Sequence, residues 1–149
     1  MNRTIKITII ALVTVLSALL IYLVFSNYKP LSDVEIRDQK RKSDIKLLQA
    51  AIEEYYYDYA VYPDSKTGRI IACDGPCIWG QPWEYGGKTY MERIPYDPLA
   101  SSSYLYTYDE LHNRYTLEAC MENLSDKSLQ KTDYTIWCNS GLVYKVGSK

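Results

Sequence analysis

The segment "IEEYYYDYAVYP", residues 52–63, decides how the rest of the chain is read. Four tyrosines, Tyr55, Tyr56, Tyr57 and Tyr59, crowd the end of a run with helical spacing, and Pro63 closes it. Traced backward, "LSDVEIRDQKRKSDIKLLQAA" meets neither glycine nor proline before Pro30. Ser32 or Asp33 can cap its start, with Glu35 as a first-turn acid. The expectation is one helix over 33–60, about 42 Å long at ~1.5 Å per residue. Ile45, Leu48, Ile52, Tyr55, Tyr56 and Tyr59 share one arc of it, whereas Ala50 and Tyr57 point elsewhere. Upstream that arc carries Arg37, Asp38 and Arg41. Residues 33–44 therefore read as a charged stalk, and 45–60 as the part that packs on a sheet. Tyrosine suits such an end, because the ring covers apolar surface while the hydroxyl stays wet or bonded.

Toward the amino terminus, "ITIIALVTVLSALLIYLVF", residues 7–25, holds no charge. As a helix it matches the thickness of a bilayer's hydrocarbon core. Arg3 and Lys6 precede it, and Tyr22, Tyr28 and Lys29 suit the far interface. A cleaved signal peptide is the rival reading, with small residues around Val24-Phe25-Ser26. The apolar run exceeds the ~7–15 residues of a signal's hydrophobic region, so a retained anchor is expected. Residues 1–30 are thus read as a transmembrane anchor, and 31–149 as a folded domain outside the cytoplasm.

Charge excludes little and favours nothing polyanionic. The net charge is -1, and all 18 acidic residues follow position 30, against 14 basic ones there. No field favours nucleic acid, and none is expected to bind specifically. The basic residues near the span pull the other way on topology. Lys29, Arg37, Lys40, Arg41 and Lys42 outnumber Arg3, Lys6 and the amino terminus, a bias that alone would hold the large part in the cytoplasm.

The cysteines oppose that bias. Cys73, Cys77, Cys120 and Cys138 are four in a small Tyr-rich domain, which reads as two disulfides in an oxidising compartment. Three connectivities are open; 73–77 with 120–138 is preferred. Gly75 and Pro76 can bend a small ring shut, and Cys120 and Cys138 each end a strand-like run. A zinc ribbon would bring two close pairs, but 17 residues separate the second pair here. A redox pair would want C-x-x-C opening a helix, whereas "CDGPCIWGQPW" is loop-like.

Pro63, Gly68, Gly75, Pro76, Gly80, Pro82, Gly86, Gly87, Pro95 and Pro98 make 61–102 a long loop region, with "RIIAC" as a short strand. Residues 103–149 read as an antiparallel sheet. "SYLYTYD" (103–109) alternates Tyr104, Tyr106 and Tyr108 with Leu105 and Thr107, and "RYTLEAC" (114–120) answers it as a hairpin. "YTIWC" (134–138) and "LVYKV" (142–146) flank "NSG", a second hairpin signal. The fold class expected is α+β, a long N-terminal helix packed on a small C-terminal sheet.

Three blocks, "RDQKRKSDIKLLQAAIEEYYYDYAVYP", "YMERIPYDP" and "YLYTYDELHNRYTLEACMEN", carry a family likeness. The sequence resembles the type IV pilin and type II secretion pseudopilin group, most of all its major (G-type) pseudopilin branch. The resemblance implies a pilin-like subunit, single-pass in the inner membrane, with its C-terminal domain periplasmic or extracellular. Its apolar helix half would anchor it and then form a filament core. Partners implied are membrane lipid, other pilin or pseudopilin subunits and an inner-membrane assembly platform. The G-type branch also implies a calcium site in the C-terminal loops. The usual prepilin cleavage motif is lacking: residues 1–34 hold no glycine and no glutamate, and alignment on Pro30 puts Thr8 and Val13 at those places.

No catalytic residue, cofactor or metal site is expected. His112 sits in a turn-like "ELHNR" and reads as solvated. Glu53-Glu54 and Asp109-Glu110 are sequential and point apart rather than across a cleft. "ENLSDKSLQKTD" (122–133) matches no EF-hand spacing and reads as a solvated loop. "KRKSDIK" (40–46) interleaves Asp44 with its cations and reads as a solvated face. Trp79, Trp83 and Tyr85 form a candidate contact loop, with coverage of a thin core as the plainer role. The expected function is a structural subunit of a type II secretion or type IV pilus machine. The alternatives are a membrane-tethered extracellular binding module that does not polymerise, and a thiol oxidoreductase using Cys73 and Cys77.

Overall fold

The computed structural model describes residues 3–27, 30–134 and 136–148. Tyr28 and Lys29, expected at the far membrane interface, lie outside them. The chain falls into two compact units, Met1–Leu31 and Ser32–Lys149.

The first unit is helix α1, Arg3–Asn27. Its hydroxyls fold back on the helix's own carbonyls, Thr8 on Ile5, Thr14 on Ala11 and Ser17 on Thr14, each at 2.9 Å. Each donor is thereby satisfied without water, as a lipid-embedded helix requires. Residues Ile5–Asn27 are long and apolar enough to cross a membrane.

The second unit begins with α2, Asp33–Tyr59. Ser32 caps it: its hydroxyl accepts from Glu35 N–H at 3.3 Å, and the Glu35 carboxylate accepts from Ser32 N–H at 2.8 Å. It stops at Ala60, whose backbone turns left-handed at φ 56°. The expected loop region folds into two short hairpins, β1 (Asp64–Lys66) with β2 (Arg69–Ile71) and β3 (Trp83–Tyr85) with β4 (Lys88–Met91). The first turns at Thr67 and Gly68, both at positive φ. The positive φ of 77° at Gly68 favours glycine there, and an added Cβ would also have to displace the Leu105 Cδ1 methyl, 2.6 Å away.

The main sheet holds β5 (Leu105–Asp109), β6 (Arg114–Cys120), β7 (Gln130–Lys131) and β8 (Leu142–Gly147), in the order β5-β6-β8-β7 and antiparallel throughout. Its register sets Tyr106 beside Leu117 and Leu117 beside Val146. Tyr115, Leu117 and Ala119 thereby enter the core with Ile45, Leu48 and Ile52 of α2. The β1–β2 hairpin covers the outer edge of β5, where Tyr106 N–H donates to Gly68 O at 2.9 Å.

The expected strand over 134–138 is corrected. Beside β8 the place belongs to Gln130 and Lys131, which pair with Val143 and Leu142. Residues 132–141 instead turn back: Thr132 N–H bonds Gly141 O, and Trp137 and Cys138 N–H both reach Tyr134 O. Cys138 bridges to Cys120, whose side chain alternates with Ala119 and so leaves the sheet on the face away from α2. That bridge draws the segment over the sheet rather than alongside it. Thr135 lies outside the described residues.

Candidate functional site

Helix α2 is the feature around which the second unit is organised. Ile45, Leu48, Ala51 and Ile52 are buried in the core with the sheet, and Tyr55 is buried beside the β3–β4 hairpin. Tyr56 and Tyr59, placed on the same arc by sequence, lie at its margins, 37% and 41% exposed. Ala51 was not among the expected packing residues, being small enough to leave the pattern legible without it. Tyr55 is the hub of the tyrosine cluster. Its ring lies 4.6 Å from that of Tyr59, 5.5 Å from Tyr90, 5.4 Å from Tyr85 and 6.0 Å from Trp83.

The hydroxyls explain why the rings are tyrosine and not phenylalanine. Tyr115 and Tyr62 donate to Glu53 at 2.7 and 3.2 Å, Tyr90 to Asp58 at 2.7 Å, and Tyr104 to Asp44 at 2.5 Å. Acids of α2 thus receive phenols from the elements packed on it. Burial, with Glu53 nearby, pushes the Tyr62 phenol up to about 12.

The charged stalk over 33–44 is corrected, for it is buried on one side. Arg41 is 1% exposed. It forks onto Asp97 through Nε at 2.8 Å and Nη2 at 3.0 Å, and its Nη1 reaches Asp38 at 2.7 Å and Glu122 at 2.6 Å. Burial disfavours its charge, but hydrogen bonds to Asp97, Glu122 and Asp38 outweigh that and raise its pKa. Arg37 adds a bidentate pair to Glu122, at 2.8 and 2.6 Å. The Arg37 and Arg41 hydrogen bonds hold the Glu122 carboxyl down to about 2. Asp38 accepts the backbone N–H of Glu122 and Asn123, the latter at 2.7 Å. Lys42 reaches Asp126, which it holds down to about 2. One face of α2, at positions 37, 38, 41 and 42, therefore clamps the 97–99 turn and the loop after β6. Charges repeating along a helix look solvated when their partners lie far away in sequence.

The candidate contact loop is also corrected. Trp83 is 0% exposed, and among the described residues its Nε1 is the buried side-chain polar atom without a partner. Trp79 is half-buried with its ring edge-on to Tyr104 at 5.9 Å, and Tyr85, 36% exposed, packs its ring 5.4 Å from that of Tyr55. They cover the core rather than form a shared face. The disulfides are Cys73–Cys77 and Cys120–Cys138. The first closes a small ring beside β2, and the second fixes the 132–141 turn. His112 is exposed in the β5–β6 turn, its Nδ1 2.6 Å from Asp109.

A long helix clamped on a small antiparallel sheet, preceded by an apolar helix, is the pilin-like α+β class. Within that class, the family model for the type II secretion system protein G matches residues 32–128, from the cap of α2 through the ion cluster. The chain belongs to that family, a structural component of the secretion system. It is also 33% identical over 60 residues to the type II secretion system core protein G of Pectobacterium carotovorum subsp. carotovorum, a stretch covering 40% of this chain and 38% of that relative. No solved structure matches.

Proposed function

We propose that this chain is a structural pseudopilin subunit of a type II secretion system. In this reading α1 anchors it in the inner membrane, and the unit from Ser32 onward stands in the periplasm. Its work is lateral helix packing, first in lipid and then in a filament with other pseudopilin subunits, through an inner-membrane assembly platform. No step of this is catalytic. The observation that carries the reading is the family match over 32–128.

Orientation draws support from two features. Two disulfides suit an oxidising compartment. Arg37, Arg41 and Lys42 are also tied to Glu122, Asp97 and Asp126, so they are not free cations available to hold the domain in the cytoplasm. A second reading, a tethered module that does not polymerise, draws on α1, whose apolar run carries no carboxylate.

Photo-crosslinking separates the two. A photoreactive side chain at Leu16 should yield a ladder of multimers in membranes holding the whole secretion machine, and a monomer when its ATPase is inactive. A monomer under both conditions would support the tethered module and contradict assembly.

A further inference from the structure

The calcium site that the resemblance implies can be tested oxygen by oxygen in the loop between β6 and β7. Calcium wants about six to eight oxygens converging on one point. Here Asp126 gives Oδ1 to the N–H and hydroxyl of Ser128, at 2.8 and 2.7 Å, and Oδ2 to Lys42 Nζ. Glu122 gives both oxygens to Arg37 and Arg41. Asn123 accepts Ser125 N–H on its side chain at 3.1 Å and Asp126 N–H on its carbonyl at 3.3 Å. The Asp126 carbonyl accepts Leu129 N–H at 3.3 Å. Among the described residues no group of three or more His, Cys, Asp or Glu is placed to hold a metal ion. The remaining acid of the 122–133 stretch, Asp133, is exposed beyond β7 and joins no such group, so the donor set does not fit the ion.

A cation nevertheless sits on the loop, and it belongs to α2. Lys42 Nζ contacts Asp126, donates to Ser128 Oγ at 2.9 Å, and lies 5.4 Å from the centroid of the Tyr144 ring. A divalent ion entering at Asp126 would meet a positive charge already hydrogen-bonded to that carboxylate. We propose that the Lys42 ammonium is the structural cation of this C-terminal loop, closing it without calcium. Family membership enters only as the source of the calcium expectation. The claim itself stands on the loop's geometry, so it can fail while the assembly reading holds.

Trypsin reads the loop directly, because Lys127 and Lys131 are exposed within and just beyond it. The full chain in detergent micelles is digested with excess chelator and with added calcium, and cleavage after those two lysines is followed by mass spectrometry. Wild type should be cut equally slowly in both. Lys42→Met should be cut about tenfold faster in both, as the loop opens more often, and Lys42→Arg should stay near wild type. Faster wild-type cleavage in chelator, reversed by calcium, would overturn the proposal. So would calorimetry showing stoichiometric calcium binding to wild type, a measurement that needs no variant to fold. A Lys42→Met chain cut no faster than wild type would also overturn it.

Discussion

Arg41 shows what a single side chain does in this fold. A guanidinium shut away from water survives only if its fork is met on each side, and here Asp97, Asp38 and Glu122 meet it. Arg41→Met would leave Asp97, whose side chain is 0% exposed, as a buried charge without its partner. The expected loss is about 3–5 kcal/mol of unfolding free energy, read by urea titration of the full chain in micelles. Arg41→Lys should recover only part of it, because an ammonium cannot match the bidentate carboxylate. A loss within ~0.5 kcal/mol for Arg41→Met, the ordinary range for surface changes, would mean the cluster is solvated after all. None of this was legible from the sequence. Asp97 and Glu122 lie 56 and 81 residues from Arg41, and helical periodicity treats every charge as surface. The motif "YMERIPYDP" carries family likeness, yet nothing in its spacing says that Asp97 faces a helix.

Within α2, the division of labour among neighbouring residues was readable. Uninterrupted spacing from Ser32 to Pro63 set its length, and the arc through Ile45, Leu48, Ile52 and Tyr55 set its buried face. Ile52→Ala should therefore cost about 2–5 kcal/mol, while Tyr57→Ala, at a ring 88% exposed, should stay within ~0.5 kcal/mol. Equal costs in the same urea titrations would show the helix rotated about its axis. The short strands were harder to read. Trp83 and Tyr90 belong to a hairpin bent at Gly86 and Gly87, and in a stretch so rich in glycine and proline the turn residues mask three- and four-residue strands. The hairpin signal of "YTIWC" and "LVYKV" around "NSG" misled for a different reason. A disulfide partner in β6 outweighs local β propensity, and sequence alone leaves three pairings open.

As a whole, the molecule joins an apolar helix that satisfies its own hydroxyls to a unit held by tyrosine-to-carboxylate bonds, an ion clamp and two disulfides. The fold class was legible because it rests on long features, the uninterrupted helix and the alternating tyrosines, and the family because three blocks between residues 37 and 123 carry its likeness. What joins the helix to the loops was not, because it is made of pairs remote in sequence. The account turns on which side of the membrane this unit occupies. Paired reporters joined after residue 149 measure that most directly in cells. An alkaline phosphatase fusion should be active and a green fluorescent protein fusion dark if the unit lies in the periplasm. A bright fluorescent fusion with an inactive phosphatase would contradict the account.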